Sequence, residues 1–332
     1  MPFERFMELA LYGPDGYFTS GPLRSEKAGD FLTSPEISPM FGSTLAVFVK
    51  QEMGRIGEPF QLIEVAAGSG TLLGPLLATF PVSARAVEVS AAARRALAAT
   101  LPEQHIVGDF AELPEPMRGV ILANEFVDNL PMAIAQLTPG GWRERWVGLD
   151  GDDLTFVDHP VRPEVKAWLL EYAGPVEPGG WVEVQLEAAA WLKTALERLT
   201  AGCVVLIDYG DLAENLSPRR RDGTLRTYRS HHLGPHPLDE PGATDITADV
   251  NFSALVATAR SVGASVELHR QDDFLASLGL RQHLGDLRRK ELELARRGHS
   301  DERLLVRNLV HEAQTLLHPR GLGDFRVLIA RK

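Results

Sequence analysis

Cysteine is nearly absent from this chain of 332 residues. Cys203 stands alone, which excludes an intramolecular disulfide and any cysteine-rich metal site. It lies in the apolar run Cys203-Val204-Val205-Leu206-Ile207, where a buried strand position is expected. Positive charge is short as well. Lys and Arg number 34 against 45 Asp and Glu, a formal net charge of −11. Such a chain fits nucleic-acid backbone poorly, so no nucleic-acid partner is expected; a basic protein or a small molecule suits it better. No hydrophobic run approaches the length of a membrane span. The start, Met1-Pro2-Phe3-Glu4-Arg5-Phe6-Met7-Glu8, lacks the apolar stretch of a secretory signal and is acidic for a mitochondrial presequence. A cytoplasmic protein without membrane attachment is the expectation. The chain has no internal repeat and no low-complexity tract.

What is present is ordinary globular composition, 44% hydrophobic and 24% charged, in a length that serves one large domain or two ordinary ones. Residues 1–58 are rich in turn formers and end in a helical run near Pro39–Met53; they are expected to pack on a core. From residue 59 to 132, short apolar strands alternate with Ala/Leu-rich helices: strands Gln61–Ala66, Ala84–Val89, His105–Val107 and Gly119–Ala123, helices Thr71–Phe80 and Ala91–Leu101. That alternation indicates βαβ units and a parallel sheet. Residues 133–200 change character, with a hairpin of Ala133–Thr138 and Trp142–Leu149, a third strand near Asp153–Val157, and a further strand at Trp181–Gln185 between two helices. The α/β pattern returns at Cys203–Tyr209 and runs through 201–332. It is interrupted at about 281–318 by two charged, Leu-studded helices that break near Gly298-His299-Ser300. The two insertions are expected to cover the substrate side of the sheet.

The run Leu62-Ile63-Glu64-Val65-Ala66-Ala67-Gly68-Ser69-Gly70-Thr71 carries an apolar strand into a small-residue loop that opens a helix. Glycine admits backbone torsions other residues resist, and the helix start presents free N–H groups. This is a cradle for a nucleoside at the carboxyl edge of a parallel sheet. Glu64 suits a cationic amino-acid ligand and is out of place beside a pyrophosphate. Glu88, eighteen residues after Gly70, is placed to accept hydrogen bonds from two ribose hydroxyls. Asp109 and Phe110 follow the third strand; they either contact and cover an adenine or, for Asp109, cap a turn. Asn124, Glu125 and Asp128 follow the fourth strand, where polar residues meet substrate, although Asp128 also reads as a cap for the next helix.

Blocks in order along nearly the whole chain resemble the MidA proteins, whose mitochondrial members are complex I assembly methyltransferases. They are Met7-Glu8-Leu9-Ala10-Leu11-Tyr12, Gly29 to Gly42, the Glu64–Thr71 loop, Asn124-Glu125-Phe126 with Asp128, Ile207-Asp208-Tyr209-Gly210, Thr224-Leu225-Arg226 with Tyr228 and His231, and Asp245-Ile246-Thr247. The resemblance implies an α/β, Rossmann-like class I methyltransferase sheet with a mid-chain β-rich insertion and a C-terminal helical one. It implies S-adenosyl-L-methionine as cofactor, with contacts from Thr33, Ala66, Gly68, Gly70 and Thr71 beside those from Glu64, Glu88, Asp109, Phe110 and Asn124. The family pattern has glycine at the position of Ala66; a methyl group is tolerated there if φ is negative.

The resemblance further implies methylation of a protein arginine. A guanidinium stays protonated and favours a carboxylate partner. Glu125 is the first choice for that partner, with Asp208 and Glu36 as other acids of the matching blocks, and His231 as candidate proton acceptor. Asn124 is expected to hold the amino-acid part of the cofactor. Methyl transfer is largely a matter of positioning, and no metal is called for. The alternatives are a small-molecule methyltransferase, an assembly factor that binds without turnover, and a dinucleotide oxidoreductase.

Overall fold

The structure, a computed structural model, describes residues 1–20, 33–229 and 232–332. Its centre is a seven-stranded sheet: β1 Gln61–Val65, β2 Ala84–Val87, β3 Ile106–Val107, β4 Met117–Asn124, β5 Leu199–Asp208, β6 Ser265–Arg270 and β7 Arg326–Arg331. The spatial order is 3-2-1-4-5-7-6. Only β7 runs antiparallel to its neighbours β5 and β6. Val120–Ala123 and Cys203–Ile207 are buried without a break, as strands covered by helices on both faces must be. Cys203 is among them, and burial pushes its thiol well above the usual range. The strand order reverses between β1 and β4, which opens a crevice at their carboxyl ends, where ligands of such sheets bind. The sheet is the Rossmann-like one expected, and its antiparallel β7 departs from the 3-2-1-4-5-6 order of dinucleotide-binding sheets.

One face of the sheet is covered by the helix Met40–Ile56, which buries Phe41, Leu45, Phe48 and Val49 beside Leu73 and Leu76. The other is covered by the helices Leu186–Arg198 and Phe252–Ser261, through Leu192, Leu196, Leu255 and Ala259. The helix expected from Thr71 begins at Leu73, because Thr71 and Leu72 are spent in the turn after β1. The mid-chain insertion is a four-stranded antiparallel sheet in the spatial order Asp153–Pro160, Gly141–Asp150, Ala133–Thr138, Trp181–Val184. The N-terminal helix Phe3–Tyr12 lies on it, burying Phe3, Phe6, Met7 and Leu11 against Met132, Ile134 and Val147.

The two late helices, Leu280–Arg297 and Ser300–Leu316, break as expected at Gly298, which takes the left-handed cap. Their position corrects the expectation that both insertions cover the substrate side. The pair adds Leu284, Leu287, Val306 and Val310 to the cluster around Phe41 and Phe48, and none of its residues lines a cavity described below. It reaches that side by packing on the Ser34–Ile37 turn, where Glu312 Oε2 accepts the Ser38 hydroxyl at 2.8 Å.

The segment after β5 is tied to the insertion sheet by a buried ion pair. Arg220 Nη1 lies 2.9 Å from Glu183 Oε2, and Glu183 also accepts the Thr224 N–H at 2.6 Å and hydroxyl at 2.9 Å. Removing one partner of such a pair leaves a buried charge uncompensated. Arg220→Ala is therefore expected to cost about 3–5 kcal/mol, read as a fall in the urea midpoint of the circular-dichroism transition.

Candidate functional site

The loop after β1 is built from left-handed backbone. Ala66 has φ +55°, Gly68 +55° and Gly70 +86°. Gly70 is glycine for room as well as for torsion, since a Cβ there would meet Leu97 Cδ1 at 2.8 Å. Gly70 does not line the cavity, contrary to expectation; it shapes the turn that does. Ala66 also departs from expectation. Its φ is positive, so its methyl group is held at a cost of about 1–2 kcal/mol and is exposed in the cavity wall.

Glu88, at the end of β2, ties this loop down. Its Oε2 accepts the Gly68 N–H at 2.8 Å and its Oε1 the Ser90 N–H at 2.7 Å. The acid expected to serve a ribose thus also holds the loop, and each oxygen keeps a second lone pair. Burial raises its pKa against the pull of these N–H groups. Glu64 is buried on β1 with Oε2 unpaired; burial, then the charge of Glu88, hold its carboxyl well above the usual range.

A cavity of about 870 Å³ lies over these strand ends. Thr33, Glu64, Ala66, Gly68 and Thr71 line it, with Glu88, Asp109, Phe110, Asn124 and Glu125. Asp109 caps a short turn by accepting the Ala111 N–H at 2.7 Å, so it both caps and faces the cavity. The Phe110 ring carries the Arg198 guanidinium at 4.8 Å and meets Trp191 at 5.7 Å, which leaves only part of it for a base. Asn124 has a buried Oδ1 with no partner. Unmet buried oxygens cost free energy until a donor arrives. Two of them among several carboxylates fit a ligand bearing an ammonium and a sulfonium, and do not fit a pyrophosphate. The cations on the wall are already committed. Arg162 binds Glu4 at 2.7 and 2.9 Å and Glu144 at 2.8 Å, and Arg5 pairs with Glu8 at 2.6 Å.

Glu125 follows β4 in a left-handed conformation, φ +50°. Asp208 at the end of β5 explains it. Asp208 Oδ2 accepts the N–H groups of Phe126, Val127 and Asp128 at 3.1–3.3 Å, and Oδ1 that of Tyr209 at 3.0 Å. With its oxygens spent on backbone, Asp208 lines neither this cavity nor the second one described below, so it is a positioning residue and not an acid that meets an acceptor. Glu36 Oε2 accepts the Thr33 N–H at 2.8 Å, and Glu36 lines neither cavity. Asp128 caps no helix; its Oδ2 accepts the Thr247 hydroxyl at 2.6 Å and that of Tyr209, and its Oδ1 is buried and unpaired. His231 lies outside the described residues.

The Glu125 carboxyl receives the Ser34 N–H and the Asn124 amide, each at 3.1 Å and both on Oε1. Burial, more than the nearby Asp128 and Glu36, pushes its pKa up to about 8. It also lines a second cavity of about 510 Å³, together with Asp128, Tyr209 and Tyr228. Several wall residues were not singled out from the sequence: Tyr12, whose hydroxyl donates to Asn129 O at 3.2 Å, Arg162 and Trp191. Tyr12 stood in a matching block. Arg162 and Trp191 come from the insertion and its following helix, and no local pattern announces that these fold back over the cavity.

Comparison with known proteins agrees with the cationic-ligand geometry. The model of a family described as "Putative S-adenosyl-L-methionine-dependent methyltransferase" matches residues 42–269. The chain belongs to that family. Among its relatives are the mitochondrial protein arginine methyltransferase NDUFAF7 of Bos taurus, 32% identical over 96% of this chain and 77% of the relative, and that of Homo sapiens, 31% identical over the same shares. A crystal structure from Burkholderia thailandensis bound to S-adenosyl-homocysteine superposes with a TM-score of 0.86 at 30% identity, over all of this chain and 88% of the other. These relatives are named as mitochondrial, so they lend the expected cytoplasmic location no support. The dinucleotide oxidoreductase alternative falls with the family assignment.

Two outcomes follow for the cofactor loop. Glu88→Ala removes the Gly68 tether together with the acid expected to serve the ribose; calorimetric affinity for S-adenosylhomocysteine should fall by tenfold or more, with a stability loss of about 1–3 kcal/mol. Ala66→Gly releases the left-handed strain but loosens the unfolded chain, so the urea midpoint should rise by the equivalent of at most about 1 kcal/mol with cofactor affinity maintained.

Proposed function

We propose that this protein transfers a methyl group from S-adenosylmethionine to an arginine side chain of a protein. The observation that carries the reading is the Glu125 carboxyl. It stands where the two cavities meet, with Oε1 held by Ser34 and Asn124 and Oε2 without a hydrogen-bond donor among the described residues. The names of the relatives support the acceptor class.

S-adenosylmethionine, when bound, supplies an electrophilic methyl group on a sulfonium. Glu64 and Asn124 offer their unpaired oxygens to the ammonium of its amino-acid part, and Glu88 faces the ribose. Glu125 pairs with the acceptor guanidinium, fixes its plane by charge-assisted hydrogen bonding, and favours electron density on the attacking nitrogen. The guanidinium must shed one proton as it is methylated. A carboxyl that titrates near 8 is a competent acceptor, and Glu125 fills that role without requiring His231.

The sign of the pH dependence follows. Below its raised pKa Glu125 carries a proton and is neutral, so it holds a guanidinium poorly. Transfer efficiency (kcat/KM) should climb about tenfold per pH unit and level off above a midpoint near 8. Glu125→Gln should lower turnover by about 10²–10⁴-fold and flatten that profile, with S-adenosylhomocysteine affinity near wild type. The assay is labelled-methyl transfer to cell-extract proteins, with amino-acid analysis of the product. Label in lysine or in a metabolite, or undiminished transfer by Glu125→Gln, overturns the arginine reading and leaves the family assignment untouched.

A further inference from the structure

The two cavities adjoin. Of the described residues that line them, only Glu125 and Asn129 are common to both. The first opens between the N-terminal helix and the insertion, past the exposed Glu8 and Glu164. The second opens elsewhere, past the exposed Arg219, Arg320 and Gly321. We propose that the acceptor arginine enters through the second cavity, with Asp128 as a second carboxylate beside Glu125, while the cofactor enters through the first. This rests on the arginine reading above and adds to it a route and a residue.

Three observations carry the proposal. Asp128 is buried, three residues from Glu125, and lines the second cavity. Its Oδ2 is fixed by the Thr247 and Tyr209 hydroxyls, while its Oδ1 has no partner. A buried carboxylate oxygen left unmet is a standing cost that a donor from a ligand removes. A guanidinium, with five N–H donors in a planar fork, can serve the open oxygens of both Glu125 and Asp128.

The second observation is that this cavity already holds guanidinium groups. Asp249 accepts from both Arg219 and Arg226, and Arg226 lies 5.4 Å from the centre of the Tyr209 ring. Asp249 is thereby satisfied, which leaves the inner acids for an incoming cation. The third is the aromatic part of the lining, Tyr209, Tyr228 and Phe325. Aromatic faces suit the methylene stem of an arginine and attract its head. One consequence is functional. With separate mouths, spent cofactor leaves without displacing the acceptor, so the two bind in either order.

The test blocks the second mouth and removes the second acid. Gly321 is exposed at the rim, and the three heavy atoms nearest a Cβ there all belong to His318, at 3.6 Å or more, so Gly321→Trp adds bulk at the mouth. Asp128→Asn keeps the shape and one acceptor oxygen. Both variants should bind S-adenosylhomocysteine like wild type in calorimetry and melt within a few degrees of it. Both should transfer labelled methyl to arginine of extract proteins at least tenfold more slowly at limiting extract. In a ternary titration, S-adenosylhomocysteine should still exchange from enzyme saturated with the acceptor fraction. Wild-type arginine labelling by Gly321→Trp overturns the route, and by Asp128→Asn the second acid; in both cases the arginine reading stands. Label absent from arginine with the wild-type enzyme defeats that reading instead.

Discussion

The turn that carries Glu125 depends on one carboxylate, Asp208, which lines neither cavity. Asp208 ends β5, beside β4 in parallel register, with Asn124 opposite Ile207. The Glu125 N–H continues the ladder to Ile207 O at 2.8 Å, and the next three N–H groups converge on Asp208 Oδ2. A chain that turns so sharply around a single oxygen leaves Glu125 in the left-handed region, where a side chain larger than glycine is costly. That cost is offset by four backbone hydrogen bonds to Asp208, and the result is a glutamate aimed across the cavity wall rather than along the strand. Strain of this kind collects where function needs a side chain in an unfavourable place.

The same turn gathers acids. Burial raises the pKa values of Glu125, Asp128 and Asp208, Asp128 adds repulsion at the other two, and burial with the charge of Glu88 raises Glu64. A folded chain gains nothing from buried carboxyls with unmet oxygens. Such a cluster carries a desolvation cost that arriving cations relieve. Both substrates of the proposed reaction are cations: a sulfonium with an ammonium on one side, a guanidinium on the other. The acidic interior and the chain's overall charge of −11 therefore point the same way, one by local pairing and the other by attraction at a distance.

Much of this was legible in the sequence, for a physical reason. Parallel strands buried on both faces are continuous apolar runs, so Gln61–Val65, Met117–Asn124 and Leu199–Asp208 announce themselves, and their polar ends mark the ligand edge. Glu64, Glu88, Asn124 and Glu125 were readable for that reason. What a sequence pattern cannot convey is which oxygen a backbone N–H will claim. Asp208 and Glu125 are both strand-end acids, yet one is consumed by the turn it builds and the other is left open. Ala66 is similar, since its sign of φ depends on how the loop closes over Glu88 and not on the residue. The helical pair was misplaced because amphipathic leucines say that a face is buried, not against which layer.

The insertion sheet shows how a family-specific addition comes to shape a site built on a common fold. Its hairpin pairs with the chain start, the Met1 ammonium donating to Val147 O and the Val147 N–H to Met1 O, each at 2.8 Å. Arg162 then bridges the N-terminal helix at Glu4 to the sheet at Glu144. One guanidinium between two carboxylates thus holds the outer wall of the cofactor cavity. Glu144 is buried and Glu4 half-buried, so the bridge is only partly screened by water and is worth more than an ordinary surface pair. The core sheet supplies the ledge, and this latch ties the N-terminal helix to the insertion along its edge. The latch shares no residue with the second cavity, so the outer wall of the first and the acids proposed to receive the acceptor rest on different contacts.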